Sequence, residues 1–396
     1  MIKILLTLTI VLIILYIATS ATKLTNEGFD NQNYQEWSLE NINPFKRSFY
    51  EVKNVTLSLA TGNEYSAKHH FANYLGKILK HNLRFKVPFT LNSSTSAGSY
   101  DNITLVNRFD RDMGIATEFS LKRALSRQLP RWRNKDHMEN IQFVSGLFDA
   151  NLMIIALDSS FGVLDLNDIA NKSYNRKLTV HIGQPDSDTN AMSRHIFKLV
   201  GLVPGEDFNV SEVDTETMLS QYNNGIDIVI RLDANPNHII KKVLETAPSH
   251  FLSILKLNNG YMNTSTPEEQ KIYKDNPTIH KSVLVSNDMF RLYSSLSKTH
   301  SRNEFIPTVR TRYVLFANKR VASEHIYQVT NILQKYVNEF NKENYFNYVT
   351  GLEMSYTFLD IPYHPGALKV YTEENYRVED SKKENCIHYR PGANCT

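Results

Sequence analysis

The residues of this chain that could do chemistry are short polar donors and glycines gathered at turns. They are Thr61-Gly62-Asn63, Gly98-Ser99-Tyr100-Asp101-Asn102, the run Gln184 to Thr189 with Ser187, Asp188 and Thr189 at its end, and Asn235-Pro236-Asn237. Such turns aim backbone N–H groups and hydroxyls into a crevice at the carboxyl ends of strands, and helix N-termini favour anionic groups. The chemistry they support is recognition of a small polar or anionic molecule by hydrogen bonds; an ordinary capped loop with no ligand is the other reading of each turn. The sequence holds no GxSxG elbow, HExxH pair or P-loop, the patterns that mark common nucleophile, zinc and nucleotide sites. His69 and His70 are neighbours on one helix, so they face different ways and cannot share one metal ion. His181 either touches a ligand or is a hydrogen-bonded structural residue. No cofactor and no metal are expected.

These turns need strands and helices to hold them, and the stretch Lys177 to Val200 shows how. Leu178, Val180 and Ile182 are apolar at period two, the mark of a strand. GQPDSDT follows, with Ser187, Asp188 and Thr189 all suited to cap a helix. Ala191 to Val200 is that helix, and Gly201 stops it. The same alternation begins at Val52–Leu59, a strand leading through ATGNEYS into a helix over Ala67–Lys80 with Phe71, Leu75, Ile78 and Leu79 on one face. Arg84–Leu91 is a second strand, SSTSAGSYDN a loop, Ile103–Phe109 a helix and Met113–Thr117 a strand. A β-α-β-α-β order implies a parallel sheet covered by helices.

Further on, the basic run RQLPRWRNK reads as a solvated helix face. Ile141–Leu147 and Leu152–Asp158 read as two apolar runs split by FDAN, where the chain crosses between lobes. Val210–Val213, Ile226–Leu232 and His250–Leu257 are strands, the last a return crossing. Asp214–Tyr222 is a helix capped by Asp214, and Pro236 opens another. Tyr313–Ala317 is a strand, Ser323–Phe340 an amphipathic helix capped by Ser323, and Pro365 starts a last helix.

At 396 residues, two α/β lobes are the default. The expected divisions are 1–21, signal peptide or membrane anchor; 22–50, linker; 51–148, first lobe; 149–252, second lobe; 253–375, return to the first lobe; and 376–396, polar tail. Lys3, the apolar run Ile4–Ala18 and the small residues after it describe an export signal cleaved after Ser20 or Ala21, with an uncleaved anchor as the alternative. Export places the protein in a periplasmic or extracellular space. Cys386 and Cys395 either close a small disulfide loop there or are free thiols. A net charge of +3 gives no electrostatic case for nucleic acid.

With these residues in view, the chain resembles the TAXI family of solute receptors, which serve tripartite ATP-independent periplasmic (TRAP) transporters. The likeness spans about Val52 to Tyr371. It rests on ATG at Ala60–Gly62, GSYDN from Gly98, the loop Gly183–Ser187, Gly225-Ile226-Asp227 with Pro236, and HPGA at His364–Ala367 followed by Tyr371 and Glu373. The resemblance implies a type II periplasmic-binding-protein fold, two α/β lobes closing on a small carboxylate such as glutamate or a dicarboxylate, and membrane subunits as partners. It implies ligand contacts from Thr61, Gly62, Asn63, Ser99, Tyr100, Asn102, Gln184, Ser187, Asp188 and Thr189, with Pro236 and Asn237 in the wall. Arg231 or His181 would neutralise the carboxylate. Asp188 stands where the family has Gly, and a bare negative charge there would repel a carboxylate unless a cation lies between. A membrane-anchored sensor or interaction module on the same fold is the alternative. An enzyme such as a pyrimidine-precursor synthase would need a reactive His or Cys facing the cleft, for which His181 is the candidate.

Overall fold

The computed structural model describes residues 54–83, 88–126, 138–157, 165–170, 176–221, 225–234, 253–255, 278–285, 305–342 and 350–376, with Asn237, Ile239, Ile240, Lys242 and Leu257. The N-terminal signal or anchor, the linker, the basic run, the polar stretch Asn258–Asn276, Pro236 and the cysteine-bearing tail lie outside the described residues. What is described belongs to one compact unit.

The elements in order are β1 (Val55–Ala60), α1 (Ala67–Leu83), β2 (Phe89–Ser94), α2 (Ser99–Asn107), β3 (Met113–Thr117), α3 (Glu118–Leu125) and β4 (Ile141–Ala156). A 3-10 turn at Leu166–Ala170 precedes β5 (Thr179–His181), α4 (Asp188–Val200), β6 (Asn209–Ser211), α5 (Thr215–Gln221) and β7 (Ile228–Asp233). Then come β8 (Ser253–Ile254), β9 (His280–Val285), β10 (Phe305–Asn318), α6 (Ser323–Lys335), α7 (Val337–Lys342), α8 (Gly351–Met354) and α9 (Pro365–Glu373).

The ten strands among the described residues form one mixed sheet in the order β2-β1-β3-β10-β4-β7-β5-β6, with β8 on β4 and β9 on β10. The α/β class expected from the sequence holds, but the sheet is not parallel throughout. Two parallel triplets, β2-β1-β3 and β7-β5-β6, flank two long central strands that run antiparallel to each other and to their neighbours. FDAN is no break: β4 continues through it for 16 residues. Asp149 and Asn151 are the half-buried members of a period-two pattern, and Arg310 and Ser282 partner them. On one side β4 runs beside β10, which extends the expected Tyr313–Ala317 back to Phe305. The expected return at His250–Leu257 is, within the described residues, the two-residue β8.

Two helices start or end elsewhere than the pattern suggests. α2 begins at Ser99, so Ser99, Tyr100 and Asn102 lie on its first turn rather than in a loop. The helix after β10 follows Ala322, which makes no side-chain cap, and breaks at Tyr336 before α7. α9 starts as expected, with Pro365 in the first turn and the His364 side chain accepting from the Gly366 N–H. The main core lies along the central strands, where Phe71, Phe148, Tyr313 and Phe340 stack edge to face or tilted. Burying one such side chain contributes about 1.5–3 kcal/mol relative to leaving it exposed.

Candidate functional site

The carboxyl ends of both parallel triplets converge on one small cleft, about 50 Å³ in volume. Its walls are Gly62 and Asn63 after β1, Ser66 and Lys68 at the start of α1, Ala97 and Gly98 before α2, Ser187 to Thr189 after β5, and Arg231 to Asp233 at the end of β7, with Ile239 and Tyr313 closing it. A crevice at the carboxyl ends of strands is where α/β sheets place ligands.

Five of the expected ligand contacts line the cleft: Gly62, Asn63, Ser187, Asp188 and Thr189; Gly98 and Arg231, also singled out by sequence, line it with them. Asn63 donates to Thr215 Oγ1 (3.0 Å). Thr189 Oγ1 accepts from the Leu232 N–H (3.1 Å). Ser187 caps α4 by accepting from the Asn190 N–H (3.1 Å). Gln184 sits at the rim, where its amide donates to the Ala97 carbonyl (2.7 Å).

The others stand behind the wall. Thr61 is buried and donates to the Ser94 carbonyl (2.9 Å), with His69 Nδ1 at 3.1 Å. Asn102 ties two strand ends together by donating to the carbonyls of Thr61 (2.5 Å) and Ile115 (2.7 Å). Tyr100 is buried, which pushes its phenol up to about 12. Asn237 is buried and accepts from the Ile240 N–H (3.0 Å).

Four charged side chains meet in this cleft. Asp188 is 3% exposed, yet its carboxylate is fully engaged. Oδ2 accepts from Lys68 Nζ (2.7 Å) and Ser99 Oγ (2.5 Å), while Oδ1 accepts from Thr117 Oγ1 (2.7 Å) and Ser120 Oγ (2.8 Å). Burial pushes this carboxyl up, but Lys68 and the hydroxyl bonds outweigh it and hold the group below the usual carboxylate range. The repulsion expected at Asp188 is therefore absent, because Lys68 is the cation beside it. Asp233 is the contrast. Burial dominates there and raises its carboxyl, against the pull of Lys68 and bonds from the Ala67 and Ala234 N–H groups and the Tyr313 hydroxyl.

Arg231 is 6% exposed. Its Nη2 donates to Thr215 Oγ1 (3.3 Å), Nε has no partner, and among the described residues no carboxylate pairs with it. Burial lowers its guanidinium to about 10, still charged at neutral pH. His181, the other residue expected to neutralise an anion, is buried. Burial, and then the charge of Arg231, lower its imidazole to about 3, so it stays neutral, with Nδ1 3.4 Å from Ser211 Oγ. Sequence reasoning missed Lys68, although one signal was present: it is a cation in the first turn of a helix, where the helix dipole disfavours positive charge. Among the described residues no cluster of His, Cys, Asp and Glu has the makings of a metal site, and no helix is long and apolar enough to cross a membrane.

The profile of the NMT1-like family matches residues 59–374. No curated protein matches the chain. Solved structures similar to it include the periplasmic binding protein BugD, at 11% identity over 84% of this chain and 97% of that one, with a TM-score of 0.46. MatC from Rhodopseudomonas palustris with bound malate is 15% identical over 84% of this chain and 99% of that one, with a TM-score of 0.45. The alkanesulfonate-binding protein SsuA from Xanthomonas axonopodis pv. citri, bound to MOPS, is 8% identical over 74% of this chain and 77% of that one, with a TM-score of 0.42.

Proposed function

The chain belongs to the NMT1-like family, and from that premise we propose that it is an exported receptor that captures a small carboxylate in its cleft. One observation carries this reading: among the described residues, the buried Arg231 guanidinium is bound only to a neutral hydroxyl, with Nε unpartnered. A buried cation with no carboxylate in ion-pair contact is costly, even with the charge of Asp233 acting on it from further off, and a planar guanidinium suits a carboxylate. Asn63, Thr189, Thr215 and the Ser187 turn supply neutral donors and acceptors around it. The finer reading is a TAXI-type receptor delivering a glutamate-like acid or dicarboxylate to TRAP membrane subunits. The segments expected as lobes, 51–148 and 149–252, would close by bending in β4 and β10. No catalytic set accompanies the cleft in this reading; the protein binds and releases.

Calorimetric titration tests it, with malate, succinate and glutamate against the neutral succinamide and glutamine. The reading expects carboxylates alone to bind, and Arg231→Met to weaken them at least tenfold, about 1.4 kcal/mol. Equal binding of the neutral analogues, or no effect of Arg231→Met, would sink it. The cleft's small volume, about 50 Å³, favours a second reading. A membrane-anchored sensor or interaction module on this fold would show no binding to any solute.

A further inference from the structure

Asp188 opens α4, the helix that follows β5 of the β7-β5-β6 triplet, yet among the described residues every hydrogen bond to its carboxylate comes from the other side of the cleft. Lys68 is on α1, Ser99 on α2, Thr117 ends β3 and Ser120 is on α3, at separations of 120, 89, 71 and 68 positions. The donors divide evenly, two to each carboxylate oxygen. They are also fixed by their own bonds. Thr117 Oγ1 accepts from the Ser120 N–H (3.1 Å) on one lone pair and turns its proton to Asp188. Ser99 Oγ accepts from the Thr117 N–H (3.3 Å) and stands 3.4 Å from Lys68 Nζ, so its single proton likewise turns to the carboxylate. Lys68 is in turn held 5.1 Å from the Tyr313 ring centroid.

One cation and three hydroxyls, two of them oriented by bonds of their own, make a complete receptor for a carboxylate, whichever molecule that carboxylate belongs to. We propose that Lys68, Ser99, Thr117 and Ser120 form a carboxylate-binding cradle, and that Asp188 is its tethered ligand, carried across the cleft on α4. The tether supplies the anion at a high effective concentration. The cradle is therefore filled without any solute, and its occupation fastens the α4 turn to the first triplet. An external acid held by Arg231 meets a cleft already latched on this side. A carboxylate that enters the cradle must displace Asp188 and release α4.

The inference rests on the geometry around Asp188 and not on the solute reading, so the two fail separately: a protein that binds no malate still has a cradle to refill. The experiment is chemical rescue. Thermal unfolding of the full chain is followed for the parent and for Asp188→Ala, in sodium formate and in sodium chloride at matched ionic strength. Asp188→Ala should melt lower than the parent in chloride and recover by several degrees in formate, saturably, while the parent responds equally to both salts. Adding Lys68→Met to Asp188→Ala should abolish the recovery. An Asp188→Ala protein that gains no more from formate than the parent does would overturn the proposal, as would a gain that survives Lys68→Met. Should Asp188→Ala fail to fold in chloride, its refolding yield from denaturant is compared in the two salts. A higher yield in formate supports the cradle, and equal yields overturn it.

Discussion

Gly98 and Ser187 meet backbone to backbone: a Cβ on Gly98 would stand 3.1 Å from the Ser187 Cα and 3.3 Å from the Asp186 carbonyl oxygen. Gly98 also has φ +142 and ψ −161, a conformation open essentially to glycine alone. The contact brings the turn before α2 against the turn before α4, and the bond from Gln184 to the Ala97 carbonyl fastens the same approach. Gly98→Ala should therefore cost about 1–3 kcal/mol from backbone strain alone, with the close contact adding to it. Urea denaturation at pH 7 measures this, and a loss below about 0.5 kcal/mol would mean the two turns part easily.

The strands and helices near the site were legible because their signals are local. Val55–Ala60, Met113–Thr117 and Ile228–Asp233 are short apolar runs bounded by turns, and all three are strands. What was not legible depends on partners far along the chain. Asp149 and Arg310 look like loop residues in isolation, yet each sits in a long central strand and pairs with the other. Pro307 hides the first half of β10 in the same way, although a proline can sit in a strand where its missing N–H is not called on. At the site, sequence marked the turns and Asp188 but read the Asp188 charge as repulsive. Lys68, which counterbalances that charge, lies 120 positions away and reads as one more polar residue on an amphipathic helix.

Glu118 and Arg312 form a second buried ion pair, 2.7 Å apart, beneath the segment that leads to α9. Arg312 also donates to the carbonyls of Glu353 (2.8 Å) and Tyr356 (2.7 Å), and Glu118 accepts from Thr357 Oγ1 (2.8 Å) and the Phe358 N–H (3.2 Å). Removing one partner leaves the other charge buried, at a cost of about 3–5 kcal/mol. Glu118→Ala and Arg312→Met should each lose that much, and the double variant distinctly less than their sum. A double-mutant cycle in denaturant checks the coupling, and strict additivity would show that the two side chains act independently.

Acid should weaken the fold through buried His181 and half-buried His195 before it reaches Asp188. Burial, then Arg231, lowers His181 to about 3; burial, then Arg123 and Lys198, lowers His195 to about 4. A histidine depressed in the fold stabilises it fully above the ordinary value near 6.5, and that contribution drains away as pH falls through the folded value. The window thus runs from about 6.5 down to 4 for His195 and down to 3 for His181. Each can lower stability by up to about 1.4 kcal/mol per pH unit within its window. Asp233 works the other way, because its raised carboxyl gains a proton more readily in the fold and offsets part of the loss. Imidazole NMR titration separates the terms: neither His181 nor His195 should titrate between pH 7 and pH 5, and a midpoint near 6.5 for either would contradict its burial.

The sharpest steric demand in the structure is at Gly366, in the HPGA segment that opens α9. A Cβ there would lie 2.1 Å from the Ser323 carbonyl oxygen and 2.7 Å from the Tyr327 N, so α6 and α9 touch backbone to backbone where the two helices begin. Both neighbours are backbone atoms of a helix and cannot swing aside. Gly366→Ala must separate the helices and loosen the packing of Ile326, Val329, Ala367 and Tyr371 between them and the sheet, all buried. Gly201, the C-cap of α4, provides the comparison: it is left-handed at φ +75 with open space around it, so Gly201→Ala should cost only the conformational strain, about 1–2 kcal/mol. Gly366→Ala should exceed it clearly, by the scale of overpacking, about 1–3 kcal/mol. Parallel denaturation of the two variants decides the matter, and equal losses would mean that α9 is free to shift away from α6.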